Sequence, residues 1–176
     1  MESLVAKQLL QHLENQNLLS DHQYGFRKSR STGDLLTYVT HIWSSAVDGF
    51  GETEVVSLDI SKAFDRVWHD ALLSKLPMYG IHPVFIDWLR SFLSDRSIAV
   101  RVDGAMSKPL KINAGVPQGS VLSPTLFLLY INDLLSTSSC SLHAFADDAT
   151  LHCSLSFPSQ RSASQQLSWH KLCLKA

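Results

Sequence analysis

Apolar residues recur at helical spacing from Glu2 to about Asn15, where Leu4, Val5, Leu9, Leu10 and Leu13 are separated by polar neighbours; the pattern predicts an amphipathic helix. The following stretch, Ser20 to Arg30, has neither helical nor strand period and mixes turn formers with aromatics and cations, so it predicts an ordered loop. Ser31 and Thr32 followed by Asp34 predict a helix start, because hydroxyls cap free amides and an acid in the first turn meets the dipole. That helix is expected to run to roughly Val47. Glu54 to Ile60 is β-branched and almost uninterruptedly apolar, which predicts a centrally placed strand with Asp59 near its C-terminal end.

Beyond it the pattern predicts a helix from near Asp65 to Tyr79, stopped by Gly80, and another from Pro83 to about Leu93. Ile98, Val100 and Val102, then Leu110 and Ile112, alternate with polar residues around an Asp103-Gly104 turn signal, as a β-hairpin does. A glycine-flanked turn over Gly115–Gly119 precedes an apolar helix over Val121–Leu135, and Ser141–Phe145 with Ala149–His152 predict a second hairpin around Asp147-Asp148. From Ser154 the chain is rich in Ser and Gln until Leu167, Trp169, Leu172 and Leu174 suggest a short final helix. No internal repeat is visible.

With 45% hydrophobic residues in a chain of 176, there is enough apolar material for one cored domain or one domain and part of a second. The apolar run Val121–Leu135 is interrupted by Ser123, Pro124, Thr125, Asn132 and Asp133, short of the roughly 18 apolar residues of a membrane span. No membrane association is expected. A net charge of −1, from 15 basic and 16 acidic residues, means that any surface suited to a nucleic-acid backbone is local. Cys140, Cys153 and Cys173 form no even disulfide framework, and the N-terminus lacks a signal-peptide pattern, which points to a reducing, intracellular setting without separating nucleus from cytoplasm.

The chemistry sits in separated acids. Phosphoryl transfer with two divalent ions needs carboxylates that converge so that the metals lie about 3.5–4 Å apart, and Asp59 at a strand end with Asp147-Asp148 at a hairpin tip can converge if their strands are neighbours. Oxygen ligands of this kind suit Mg2+ or Mn2+. Cys140, His143, His152 and Cys153 are zinc-ligand types, but adjacent His152 and Cys153 point to opposite faces of a strand and do not converge on one ion. Trp43, Trp68, Trp88 and Trp169 fall on predicted helices and read as packing aromatics.

Tyr24-Gly25-Phe26-Arg27, Leu58-Asp59-Ile60-Ser61-Lys62-Ala63-Phe64-Asp65, the segment Gly115 to Pro124 and Phe145-Ala146-Asp147-Asp148 together resemble the reverse transcriptase motifs of non-LTR (LINE-type) retrotransposons, from about Glu2 to His152. The resemblance implies an α+β reverse-transcriptase palm, an antiparallel sheet backed by helices, with partial fingers and no thumb. Residues 1–50 would be the fingers part, 51–155 the palm and 156–176 a truncated tail with a short helix. Asp59, Asp147 and Asp148 would be catalytic, with Asp59, Asp147 and the carbonyl of Ile60 holding two Mg2+ or Mn2+ ions. Phe64, Gln118, Gly119 and Arg27 would contact the nucleotide. Phe64 stands where viral RNA-dependent RNA polymerases typically place an acid, so deoxynucleotides are the expected substrate.

The implied activity is RNA-directed DNA polymerisation, with an RNA template, a DNA primer and deoxynucleoside triphosphates as partners. The chain resembles the family from the interior of the fingers onward, and the preceding segment with its triphosphate-holding strands and basic side chains, a complete thumb and an endonuclease domain are expected to be missing. That leaves a second reading, an inactive retrotransposon-derived remnant that at most binds nucleic acid or protein weakly.

Overall fold

The computed structural model describes residues 1–136 and 141–155. Helix α1, Glu2–Asn15, buries Ala6, Leu9 and Leu13, the stripe that its spacing predicts. Helix α2, Thr32–Phe50, starts in a capping box in which the Ser31 hydroxyl accepts from the Asp34 amide and the Asp34 carboxylate accepts from the Ser31 amide. Gly51, at φ 85°, ends it in the left-handed conformation. Helix α4, Pro83–Leu93, opens with proline in its first turn and buries Ile86, Leu89 and Leu93.

The helix expected over Asp65–Tyr79 is broken into three pieces. Ala63–Arg66 is a 3-10 turn, α3 spans His69–Lys75 and Leu76–Tyr79 is 3-10 again. Two causes are visible. Val67 and Trp68 turn extended because their backbone is taken by the segment Ala114–Gly115, through a Gly115 amide bond to the Val67 carbonyl (2.8 Å) and a bridge between Trp68 and Ala114. Pro77 then removes an amide and crowds the preceding turn, so the α-helix stops at Lys75.

The apolar helix is also shorter than Val121–Leu135. Helix α5, Ser123–Ile131, is buried nearly all round, and Leu134–Ser136 form a separate 3-10 turn. The break falls at Asn132, whose amide side chain donates to the Leu18 carbonyl (2.9 Å) and accepts from the Ser20 amide (2.8 Å). Helices α1, α3, α4 and α5 share the main core, with Leu13, Leu72, Leu89, Leu126 and Phe127 among its members.

Strand β1 is Glu52–Asp59, and four two-residue pieces form a ribbon: β2 Ser97–Ile98, β3 Arg101–Val102, β4 Ala105–Met106 and β5 Leu110–Lys111. Strands β6, Ser141–Phe145, and β7, Asp148–Leu155, complete an antiparallel sheet in the order β1-β7-β6. The strand expected to be central therefore lies at the edge of this sheet, and β7 takes the middle. Val55 of β1 is 39% exposed: β-branched residues fit any pleated, half-buried surface, and their density does not reveal a strand's neighbours. The free edge of β6 is covered by the loop that follows α1, through Tyr24 N–H to Ala144 O and Ala144 N–H to His22 O, both 2.8 Å. A small second core of Leu135, Leu142, Ala144, Ala149 and Leu151 lies on one face of the sheet, with Val56 and Leu58 against it. The ribbon pairs β2 with β5 and β3 with β4, and its Ile98, Val102, Met106 and Leu110 are exposed.

Candidate active site

β1 and β7 run antiparallel in a register that sets Asp59 directly opposite Asp148, after Val56–Leu151, Ser57–Thr150 and Leu58–Ala149. Directly opposite residues share a face, so these two carboxylates leave the same side of the sheet. On β7's other side, Phe145 pairs with Asp148, which makes Ala146 and Asp147 the two-residue tip of the β6–β7 hairpin. Ala146 sits at φ 58°, and Asp147 follows it half-exposed. Separate chain segments thus bring all three predicted acids to one end of the sheet.

Among the described residues, none of the three carboxylates has a hydrogen-bond or ion-pair partner. Like charges directly opposite on an antiparallel pair repel, and a cation is the natural relief. No three His, Cys, Asp or Glu side chains among the described residues are gathered as a ready-made metal cage. That is compatible with Mg2+ or Mn2+, which keep several waters and bind through one or two carboxylates together with substrate phosphates. The oxygen donors of Asp59, Asp147 and Asp148 fit such ions in chemistry.

The glycine-flanked turn is fastened to the segment that follows β1. The Gly115 amide donates to Val67 and the Val116 amide to Phe64, each at 2.8 Å, while the His69 ring Nε2 donates to the Gly115 carbonyl at 2.7 Å. Gln118 reaches back along the surface, its Nε2 donating to Asp65 Oδ1 at 3.1 Å. Gly119 adopts φ 88°, and a Cβ there would meet open space, so the turn leaves room beside its backbone. Ser123 closes the turn by donating to the Pro117 carbonyl (2.7 Å) as α5 begins. Phe64 stacks on Phe127 of α5 (centroids 5.0 Å apart, 15° between planes) and meets Phe26 edge-on at 6.0 Å.

Residues 1–173 match the family described as reverse transcriptase (RNA-dependent DNA polymerase). The chain belongs to the reverse transcriptase family. It is 40% identical over 139 residues to a probable RNA-directed DNA polymerase from transposon BS of Drosophila melanogaster, covering 76% of this chain and 15% of that protein. It is 38% identical over 152 residues to the corresponding protein of the Drosophila melanogaster X-element, covering 84% of this chain and 17% of the relative. These relatives bear out the resemblance to non-LTR retrotransposon reverse transcriptases, and the chain spans under a fifth of their length. Among solved structures, telomerase from Candida tropicalis with a fragment of telomeric RNA superposes with a TM-score of 0.68 at 15% identity, over 97% of this chain and 30% of that one. At that identity the likeness speaks for a shared fold alone.

Within this reverse transcriptase chain, one expected nucleotide contact is placed elsewhere. Arg27 is committed to Glu14 through two bonds, Nε to Oε1 at 2.8 Å and Nη2 to Oε2 at 2.6 Å, and a third donation goes to the Ser20 carbonyl. Its side chain is 6% exposed, so in this arrangement it ties the loop to α1 and does not face a ligand. The Arg27 hydrogen bond holds the Glu14 carboxyl below its usual pKa. Trp68, read as a packing aromatic on a helix, instead lies in the extended linker before α3 and is 57% exposed. Trp88 stacks between Phe85 and Phe92 and is 38% exposed. Cys140, Cys173 and the predicted C-terminal helix lie outside the described residues.

The sequence singled out His143 and His152 only as zinc-ligand types and did not reveal that they group with His22 on the aspartate face of the sheet. His143 of β6 contacts His22 Nδ1 to Nδ1 at 3.1 Å, stacks on His152 of β7 and takes Tyr38 of α2 edge-on. Burial, helped by His22 and His152, pushes His143 down to about 4, and burial likewise lowers His152. His143 Nε2 and His152 Nδ1 are buried without a partner among the described residues. Nor did any motif single out Gln23, which is 2% exposed and bonds to the hairpin tip. A signal for it would have required knowing that the loop lies along β6.

Proposed function

We propose that this chain is the catalytic core of an RNA-directed DNA polymerase that adds deoxynucleotides to a primer 3′-hydroxyl on an RNA template. The observation that carries the reading is the Asp59–Asp148 register with Asp147 at the adjoining tip. In it residues 51–155 act as the palm and 1–50 as part of the fingers. Asp59, Asp147 and the Ile60 carbonyl are the ligands for two Mg2+ or Mn2+ ions, and Asp148 completes the acidic set. When bound, such ions make the attacking oxygen a better nucleophile and stabilise the charged transition state.

The protein's own groups do the positioning. Gln118 and Gly119 seat the incoming nucleotide beside the turn, where the open space at Gly119 lets the backbone approach it. Phe64, braced by Phe127, lies under the sugar and excludes a 2′-hydroxyl.

Primer extension on an RNA template with Mg2+ or Mn2+, run beside Asp147→Ala, tests this. The expected result is extension by the wild-type chain well above that of the variant. Equal yields under both metals would overturn polymerisation for this chain and leave the non-catalytic binding reading.

A further inference from the structure

Gln23 is sealed in the protein, 2% exposed, and its carboxamide is spent on the tip of the aspartate hairpin. Oε1 accepts from the Ala146 amide at 2.9 Å and from the Gly25 amide at 2.8 Å, and Nε2 donates to the Ala146 carbonyl at 3.2 Å. One side chain thus holds both backbone polar groups of Ala146. That residue has φ 58°, a left-handed conformation that a residue with a Cβ resists and that no local sequence preference supplies here.

The neighbouring backbone reinforces the grip. Loop residues His22–Tyr24 run along the free edge of β6, with Gln23 bridged to Ala144. Gly25 lies so close that a Cβ on it would fall 2.2 Å from the Ala146 nitrogen. Orienting the amide and carbonyl of Ala146 fixes both peptide planes at that residue, and Asp147 hangs from the second of them. The Asp147 carboxylate has no hydrogen-bond or ion-pair partner among the described residues, so the backbone of the tip, which sets the direction in which its side chain leaves, is the polar restraint on it.

We propose that Gln23 is a positioning residue for Asp147, holding the hairpin tip so that this carboxylate meets a divalent ion together with Asp59. The inference rests on the reading of these aspartates as metal ligands. Outer groups that orient metal ligands typically change affinity by about 10- to 100-fold when removed. A merely structural Gln23, plugging the edge of the sheet, would lower stability and leave the metal affinity of the folded protein alone.

The test is Mn2+ titration of the full chain followed by electron paramagnetic resonance, with amide hydrogen exchange read at Ala146 and Gly25. Wild type is compared with Gln23→Leu, Gln23→Asn, Asp147→Asn and Leu89→Ala, the last a core destabilisation remote from the hairpin. Gln23→Leu is expected to speed Ala146 exchange and to raise the Mn2+ dissociation constant roughly 10-fold or more, while Leu89→Ala leaves the constant at its wild-type value. Gln23→Asn, polar but one methylene too short, shifts both readouts the same way and carries the comparison if the leucine variant does not fold. Affinity unchanged in the Gln23 variants, with Asp147→Asn weakened, overturns the positioning role and spares the metal reading. Affinity unchanged in Asp147→Asn overturns both.

Discussion

Gly115 lies directly against the backbone of Asp65: a Cβ at position 115 would stand 2.9 Å from the Asp65 carbonyl oxygen and 3.0 Å from its Cα. Through this contact the turn that carries Gln118 is pressed onto the segment that carries Phe64. Gly115→Ala combines a steric clash with backbone that cannot yield and a left-handed φ of 91°, and should cost about 2 kcal/mol or more. Gly119→Ala, with a similar φ but open space around it, should cost about 1 kcal/mol. Urea unfolding midpoints of the two variants check the difference, and equal losses would show that the 115–65 contact is not tight.

The ion pair between Glu14 and Arg27 predicts an acid limb of stability. The carboxyl pKa is depressed in the folded state, so its contribution is complete above the unfolded value near 4.5 and is lost as pH falls through the folded value. Glu14→Gln should therefore flatten the stability profile below about pH 4.5 and lower stability at neutral pH. Urea midpoints measured from pH 3 to 7 decide it; a variant that keeps the wild-type acid slope would assign that slope to other groups.

His143 acts in a different window. Its folded pKa of about 4 lies below the ordinary 6.5, so the unfolded chain binds the proton more readily between those values. Its burial as a neutral ring is then fully tolerated above 6.5, and stability declines as pH falls toward 4. His152 acts in the same direction. In His143→Phe the decline between pH 6.5 and 4 should be shallower, with the remainder from His152. Proton titration of the imidazole signals by NMR provides a direct check on the sign.

Phe64 joins stability to substrate choice. Truncating a half-buried ring stacked on Phe127 should cost about 2 kcal/mol, less than the 3–5 typical of a fully buried one. If polymerisation proceeds as proposed, Phe64→Ala should also raise the ratio of ribonucleotide to deoxynucleotide incorporation. Paired single-nucleotide extension assays would show that ratio, and an unchanged ratio would remove Phe64 from sugar selection.

Much of this architecture was readable from local pattern. The amphipathic stripe of α1, the Ser31–Asp34 box, Pro83 at the start of α4 and the hairpin around Asp147 all obey short-range rules and stand where those rules put them. Apart from the stop at Pro77, a local breaker, the helix and loop misreadings come from competition by distant chain. Val67 and Trp68 left the helical conformation because Ala114 and Gly115 claimed their backbone. Arg27, expected at the nucleotide, is instead engaged because the fold carries Glu14 of α1 to it.

The sequence by itself determined the chemistry available: carboxylates near strand ends, an aromatic after the first of them and a glycine-flanked turn before an apolar helix. Residue type and short-range spacing suffice for that, since they set turns, caps and ligand character. Only the tertiary structure decided that Asp59 faces Asp148, that β7 and not β1 is central, and that Gln23 grips Ala146. Each of these depends on segments far apart in the chain, whose pairing is chosen by the packing of the whole core and is invisible to any local pattern.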